Sequence, residues 1–322
     1  MHNNSWNVLV TGAAGFIGFH VAKRLKQYGH SVVGLDNFCP YYTVWLKQQR
    51  AQILRSVGVE CVEGNVEQTK RLCEVIEREK ITHIVHLAAQ AGVRYSLQAP
   101  EAYLRSNVDG FLSVLEAVRS HPSIVTAWAS SSSVYGLNTK IPFSEDDCTD
   151  SPANLYGATK KANELMAHAY HHLFGLKLIG LRFFTVYGPW GRPDMAYFLF
   201  ADKMTKGEPI QVFGGGELRR DFTYIDDVVD GIIASLSCSK DYGIYNLGNC
   251  HSQSVNQLVA CLETSLRCTA DVQMVDAPAG DMVETWADIR KAREEFGYSP
   301  KICLAEGIDR FASWYRSYTK TK

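Results

Sequence analysis

The chain has 322 residues, 46% of them hydrophobic and 21% charged, and its 33 basic and 34 acidic side chains give a net charge of −1. That composition suits one large or two modest soluble domains and excludes a global field that would draw nucleic acid or an anionic membrane surface. No stretch approaches about 18 uninterrupted apolar residues and no basic-then-apolar leader opens the chain, so a cytoplasmic enzyme without membrane contact is the default reading. The nine cysteines form no C-x-x-C pair and no His cluster accompanies them, so they read as reduced thiols, with neither disulfide nor metal site expected.

In chain order, strand-like apolar runs at residues 6–11, 31–35, 59–63, 81–87, 124–129 and 176–181 alternate with helical periodicity at 16–28, 69–80, 102–121 and 153–174. Such alternation predicts a parallel sheet covered on both faces, a Rossmann-like doubly wound α/β fold. After Tyr187 the character changes, with Gly188-Pro189-Trp190-Gly191-Arg192-Pro193, Gly214-Gly215-Gly216 and Pro278-Ala279-Gly280 as turn signals. The expected division is a nucleotide-binding unit over 1–187 and a smaller substrate unit over 188–322. A segment near 222–250, with a helix over 226–236, is expected to return to the first unit.

Val10-Thr11-Gly12-Ala13-Ala14-Gly15-Phe16-Ile17-Gly18 places three glycines in a strand-to-helix turn. Glycines there permit a tight turn, close approach of backbone to a pyrophosphate, and a helix N-terminus aimed at the anion. Eighteen residues after Gly18, Asp36 stands at the end of the second strand, where a carboxylate accepts from both ribose hydroxyls of adenosine and repels a 2′-phosphate. The pattern therefore favours NAD over NADP; taken alone, Asp36 also reads as a simple turn former. Asn65 and Leu87-Ala88-Ala89 follow the next two strands at the same sheet edge.

Tyr156 and Lys160 stand four apart at the start of a helix, so both project from one face. A phenol is a poor base at neutral pH, and a nearby ammonium favours its phenolate. An isolated pair of this kind is usually a surface contact. Beside the glycine turn and the serines Ser130, Ser131, Ser132 and Ser133 at a strand end, it reads as a proton-transfer site.

These motifs resemble the extended short-chain dehydrogenase/reductase family, whose T-G-x-x-G-x-x-G, strand-end serine and Y-x-x-x-K motifs appear in order. The likeness runs essentially end to end. It is most like the UDP-glucuronate 4-epimerase type in His86-Leu87-Ala88-Ala89-Gln90-Ala91-Gly92-Val93-Arg94 and Thr185-Val186-Tyr187-Gly188-Pro189-Trp190-Gly191-Arg192-Pro193-Asp194. The resemblance implies Tyr156 as acid/base on the sugar 4-hydroxyl, Lys160 on the nicotinamide ribose depressing the Tyr156 pKa, and Ser131 on the same sugar oxygen. It also implies NAD contacts from Phe16, Ile17, Asn37, Val66, Asn107 and Phe183, together with a homodimer built through the helices at 102–121 and 153–174. The implied reaction takes a hydride from C4, turns the 4-keto sugar and returns the hydride to the other face.

Relatives that dehydrate or decarboxylate such intermediates typically carry Asp-Glu or Ser-Glu where this chain has Ser132 and Ser133. Hydroxyls donate to a substrate carboxylate, whereas a glutamate repels it and supplies a proton shuttle. Thr185, where neutral-sugar epimerases usually have Asn, leaves room for the acid. Otherwise the serines read as a strand end capping its own backbone. Arg192 serves the carboxylate or the diphosphate, and Arg220, a forked guanidinium, is the best phosphate ligand. Residues 196–200 and 211–213, with Gln211, are expected to enclose uracil, and Asp281 to complete the substrate set. Arg94 reads more as a structural ion pair than as a ligand. The expected activity is interconversion of UDP-glucuronate and UDP-galacturonate. The alternatives are a UDP-glucose or UDP-N-acetylglucosamine 4-epimerase and, in a different class, a non-catalytic NAD-sensing protein.

Overall fold

The computed structural model of the chain describes residues 5–276 and 283–321. The first half runs β1 (Asn7–Thr11), α1 (Phe16–Gln27), β2 (Ser31–Asp36), α2 (Val44–Ser56), β3 (Glu60–Glu63), α3 (Thr69–Glu79), β4 (His83–His86), α4 (Pro100–Tyr103), α5 (Gly110–Arg119), β5 (Val125–Ser131), α6 (Leu155–Phe174) and β6 (Lys177–Phe183). Then come β7 (Thr185–Tyr187), α7 (Ala196–Thr205), β8 (Ile210–Phe213), β9 (Arg219–Tyr224), α8 (Ile225–Ser235), β10 (Tyr242–Leu247), β11 (Ser252–Ser254), α9 (Val255–Leu266), β12 (Val272–Val275), β13 (Glu284–Thr285), α10 (Arg290–Phe296) and α11 (Leu304–Thr321).

Seven strands form a parallel sheet in the order β10-β6-β5-β4-β1-β2-β3. Helices cover both faces, which is why Val8-Leu9-Val10 is an unbroken and fully buried apolar run. This is the doubly wound α/β architecture that the alternation predicts. Strand order reverses between β1 and β4, where Val10 pairs with Val85 and Thr11 with His86. The crevice beyond the carboxyl ends at such a reversal is where an open α/β sheet takes its ligand.

Beyond β6 the chain builds a smaller layer around β9, flanked by β7 and β13 in parallel and β11 antiparallel, with β8 and β12 as a separate pair. It returns to the main sheet twice. Helix α8 lies against α1, tied by Arg24 to Asp226 at 2.9 Å and to Asp230 at 2.6 Å. Strand β10 then closes the sheet edge beside β6, Leu247 against Phe183. Buried side chains from Val8 through Tyr187 and Phe198 to Phe311 form one continuous apolar cluster, so the two layers share a core.

Two elements differ from the periodicity. The helix expected over 102–121 is broken: α4 passes into a π-helical turn at Leu104–Asp109 before α5. Asn107 sits in that turn with its carbonyl accepting from Asn163 Nδ2 at 2.7 Å and its side chain bonded to Gln90 and Thr159. Tertiary hydrogen bonds thus override the α register. Helix α2 was not signalled at all, because its inner face buries Lys47 and Arg50 beside Leu46 and Leu54.

Candidate active site

The glycine turn is folded as tightly as its sequence demands. Gly12 has φ +71°, and a Cβ on it would lie 2.8 Å from the Ala88 nitrogen; a Cβ on Gly15 would lie 2.9 Å from the Gly12 carbonyl oxygen. Gly18 lies closer still against that oxygen, drawing α1 onto the turn. The N-terminus of α1 has no side-chain cap and no acid in its first turn. Its amide groups are therefore available to an anion.

Asp36 is buried at the end of β2. Its Oδ2 accepts from the Ala14 amide at 3.0 Å and its Oδ1 from the Phe38 amide at 2.8 Å. The carboxylate therefore shapes the turn, and it also lines the cleft, where each oxygen keeps a lone pair for a ribose hydroxyl. Asn37 donates to Asn65 at 2.8 Å, so Asn65 orients a lining residue without lining the cleft itself. Thr11 Oγ1 accepts from the amides of Leu87 and Ala88 at 3.2 Å each, so its proton goes to His86 Nδ1 at 2.8 Å. His86 is thereby fixed as the Nε2–H tautomer, and burial lowers its pKa to about 3, keeping it neutral.

Helix α6 begins with Asn154, whose side chain accepts from the Gly157 amide, and it carries Tyr156 and Lys160 into the cleft. Lys160 is 3% exposed and donates to the Ala129 carbonyl at 2.9 Å. Burial lowers its pKa from 10.5 to about 8. Ser131 accepts from the Ser133 amide at 3.1 Å, which leaves its hydroxyl proton for Tyr156, its hydrogen-bond partner. Burial raises the Tyr156 pKa, while the Ser131 bond and the charge of Arg192 oppose the rise. The resemblance implied that Lys160 supplies that opposing charge; here it comes from Arg192, while the Lys160 ammonium donates to Ala129.

The four serines divide by role. Ser130 donates to Glu164 at 2.6 Å, and Glu164 holds the Arg182 guanidinium through Nε at 2.8 Å and Nη2 at 2.9 Å. An acid therefore does serve the serine run, drawn from α6 and neutralised by a buried arginine. Ser131 faces Tyr156, and Ser132 and Ser133 open a 3-10 turn, Ser132–Tyr135, at half-buried positions.

One cleft gathers Gly12, Gly15, Phe16, Ile17, Gly18, Asp36, Asn37, Val66, Leu87, Ala88, Ala89, Ser131, Tyr156, Lys160, Phe183 and Arg192. Asn107 stands behind it, holding Gln90 at the wall. Thr185 lies between the lining residues Phe184 and Val186. Ser132, Ser133, Thr185, Gln211 and Arg220 are not part of the wall, and Gln211 is exposed on β8. Asp281 lies outside the described residues. Arg94 makes no ion pair among the described residues; its guanidinium stacks over Phe213 at 5.2 Å.

Sequence reasoning missed Tyr41, Tyr42 and Lys47, all on the cleft wall. It also missed Asp194, which holds Arg192 through two parallel bonds of 3.0 and 2.7 Å and accepts from the Tyr41 hydroxyl at 2.9 Å. The Arg-x-Asp spacing was the available signal for that pair.

A model of the NAD dependent epimerase/dehydratase family matches residues 8–248. The chain belongs to that family. Curated members similar to it include UDP-glucuronate 4-epimerase 2 of Arabidopsis thaliana, 49% identical over 335 residues that cover 98% of this chain and 77% of the relative. The crystal structure of a Bacillus cereus UDP-glucuronic acid 4-epimerase in complex with UDP-glucuronic acid and NAD is 34% identical, with a TM-score of 0.90 over 97% of this chain and 99% of that one. A Thermotoga maritima UDP-glucose 4-epimerase structure with UDP-glucose is 28% identical, with a TM-score of 0.88 over 97% and 99%. As a family member the chain is an NAD-dependent enzyme, and the close-folded glycine turn, uncapped α1 and buried Asp36 fit that cofactor.

Proposed function

We propose that this enzyme interconverts UDP-glucuronate and UDP-galacturonate at C4. The observation that carries the reading is the Tyr156–Ser131–Lys160 constellation at the sheet edge of a chain nearly half identical, along 98% of its length, to a UDP-glucuronate 4-epimerase. NAD, when bound, supplies a reversible hydride acceptor. The remaining work falls to the chain.

In this reading Tyr156 takes the proton of the sugar 4-hydroxyl and returns one when the alcohol re-forms, with Ser131 donating to the same oxygen. Lys160 holds the cofactor's ribose. The 4-keto intermediate of a hexuronate is a β-keto acid, prone to lose carbon dioxide when its carboxylate bond aligns with the carbonyl π system. Ser132, Ser133 and Thr185 are assigned to that carboxylate as neutral donors, with no carboxylate of their own to relay a proton. Arg192 serves the acid or the diphosphate, and Arg220, Gln211 and Asp281 serve the UDP moiety. The unit over 1–187, with the returning segment, is assigned to NAD and the remainder to the sugar nucleotide.

We also assign a cytoplasmic homodimer that supplies an activated uronic acid for polysaccharide assembly. Supporting it are nine free thiols and the exposed apolar side chains of Leu112 on α5 and of Leu165 and Leu173 on α6. No described helix is long and apolar enough to cross a membrane.

The deciding experiment incubates the purified protein with UDP-glucuronate and, separately, with UDP-glucose and UDP-N-acetylglucosamine. The expected product is the 4-epimer of the acidic sugar. Release of a pentose nucleotide with carbon dioxide, turnover of the neutral sugars alone, or no turnover with NAD bound would each replace this reading.

A further inference from the structure

We propose that Lys47 and Arg50 form a cationic shelf for a nucleotide diphosphate, that of the NAD cofactor, with Lys47 as a direct ligand and Arg50 as a positioning residue behind it. The two stand three apart on one face of α2, and both are more than nine-tenths buried. Among the described residues, neither has a carboxylate within 4.0 Å. Elsewhere in this molecule a buried guanidinium is neutralised, as Arg182 is by Glu164 at 2.8 Å.

Arg50 spends its donors on neutral acceptors. Nη1 reaches the Ala14 carbonyl at 3.0 Å and the Tyr42 hydroxyl at 2.7 Å; Nη2 reaches the carbonyls of Trp190 at 2.6 Å and Gly191 at 3.1 Å; Nε has no partner. Lys47 Nζ has no hydrogen-bond acceptor among the described residues and lies 5.0 Å from the centroid of the same Tyr42 ring, with the Arg50 guanidinium carbon 5.6 Å from it. Two like charges buried at one ring, without a counter-ion, are costly to keep. Such an arrangement is completed by an anion.

The place of that anion follows from the neighbours. Lys47 and Tyr42 line the cleft wall together with Gly12, Gly15 and Ile17. The Ala14 carbonyl that anchors Arg50 directly precedes α1, whose N-terminus is uncapped. A buried ammonium on the cleft wall, a guanidinium behind it and a free helix N-terminus beside them suit two linked phosphates. The diphosphate of a UDP-sugar is the other source of that chemistry, since Arg50 also touches the loop leading to Arg192. The bond to the glycine turn and the lining position of Lys47 favour the cofactor.

The test uses the full-length holoenzyme and its Lys47→Met and Lys47→Arg variants. NAD retained through gel filtration is measured, followed by calorimetric affinities for NAD and for UDP on stripped protein. With a charge-assisted bond lost, Lys47→Met is expected to bind NAD about tenfold or more weakly while UDP affinity holds. Lys47→Arg is expected to restore most of the loss. The stripped Lys47→Met protein is expected to melt no lower than its parent, because an uncompensated charge has been removed. Tyr42→Phe, which deletes one Arg50 acceptor, is expected to weaken NAD binding alone. Unchanged NAD affinity in Lys47→Met, an equal loss for UDP, or a lower melting point in the stripped variant would overturn the proposal.

Discussion

The carbonyl oxygen of Ser133 stands 2.5 Å from the point that a Cβ on Gly157 would occupy. Helix α6, which carries Tyr156, therefore rests backbone to backbone on the turn that carries the serines. Because the obstacle is main chain, Gly157→Ala forces one element away from the other. The expected cost is about 1–3 kcal/mol of stability from the overpacked contact. The same shift separates Tyr156 from Ser131, and a displacement near 1 Å costs up to about 100-fold in rate. Thermal melting and kcat together check this, and a variant unchanged in both would show that the contact positions nothing.

Tyr156→Phe removes the proton-transferring hydroxyl and leaves the ring that packs 6.2 Å from Tyr103. Turnover is expected to fall by about 100-fold to 10,000-fold, the range a positioned acid/base contributes. NAD should remain bound, because the Asp36 and glycine-turn contacts are untouched. The check is kcat beside the NAD content of the purified variant; substantial residual epimerisation contradicts the assigned role.

Ser130 lines the cleft, yet its hydroxyl is committed to Glu164. Glu164 in turn neutralises Arg182, whose Nη1 also donates to Tyr135 at 2.9 Å. Glu164→Gln leaves a buried guanidinium without its counter-charge, and the expected loss is about 3–5 kcal/mol. Ser130→Ala deletes one donor to the Glu164 carboxylate and costs about 1.5–3 kcal/mol, with KM for the sugar nucleotide unchanged. Denaturant unfolding separates the two magnitudes. A Ser130→Ala enzyme with raised KM and unaltered stability would move that hydroxyl to the substrate.

What the sequence disclosed was whatever local spacing encodes. Gly12, Gly15 and Gly18 are dictated by a turn with no room for Cβ, and Tyr156 with Lys160 by one helical turn. Asp36 was legible from its distance to the glycines. Partners brought together by the tertiary fold were not. The acid serving Ser130 lies on another element, and the π-helical turn at Asn107 depends on donors from α6. Lys47 and Arg50 carried no signal, because polar residues normally stay outside; here they are turned inward.

Lys160 gives the site a pH dependence whose sign follows from its burial. Its ammonium is disfavoured in the folded chain, so its pKa is lowered from 10.5 to about 8. Between these values the folded protein has released a proton that the unfolded chain still holds. The unfolded state then binds more protons, so this residue's contribution to stability rises with pH from about 8 to 10.5 and is unfavourable below that window. Ligand binding runs the other way. A ribose hydroxyl accepts from the charged form, so NAD affinity is expected to weaken as pH rises through about 8. Calorimetric titration of the stripped protein from pH 7 to pH 9.5, a window of roughly one to two units around that pKa, reads the effect directly. In Lys160→Met the affinity is lower throughout and this inflection disappears. An affinity that stays level across the window in the parent protein would mean that Lys160 does not hold the cofactor as an ammonium.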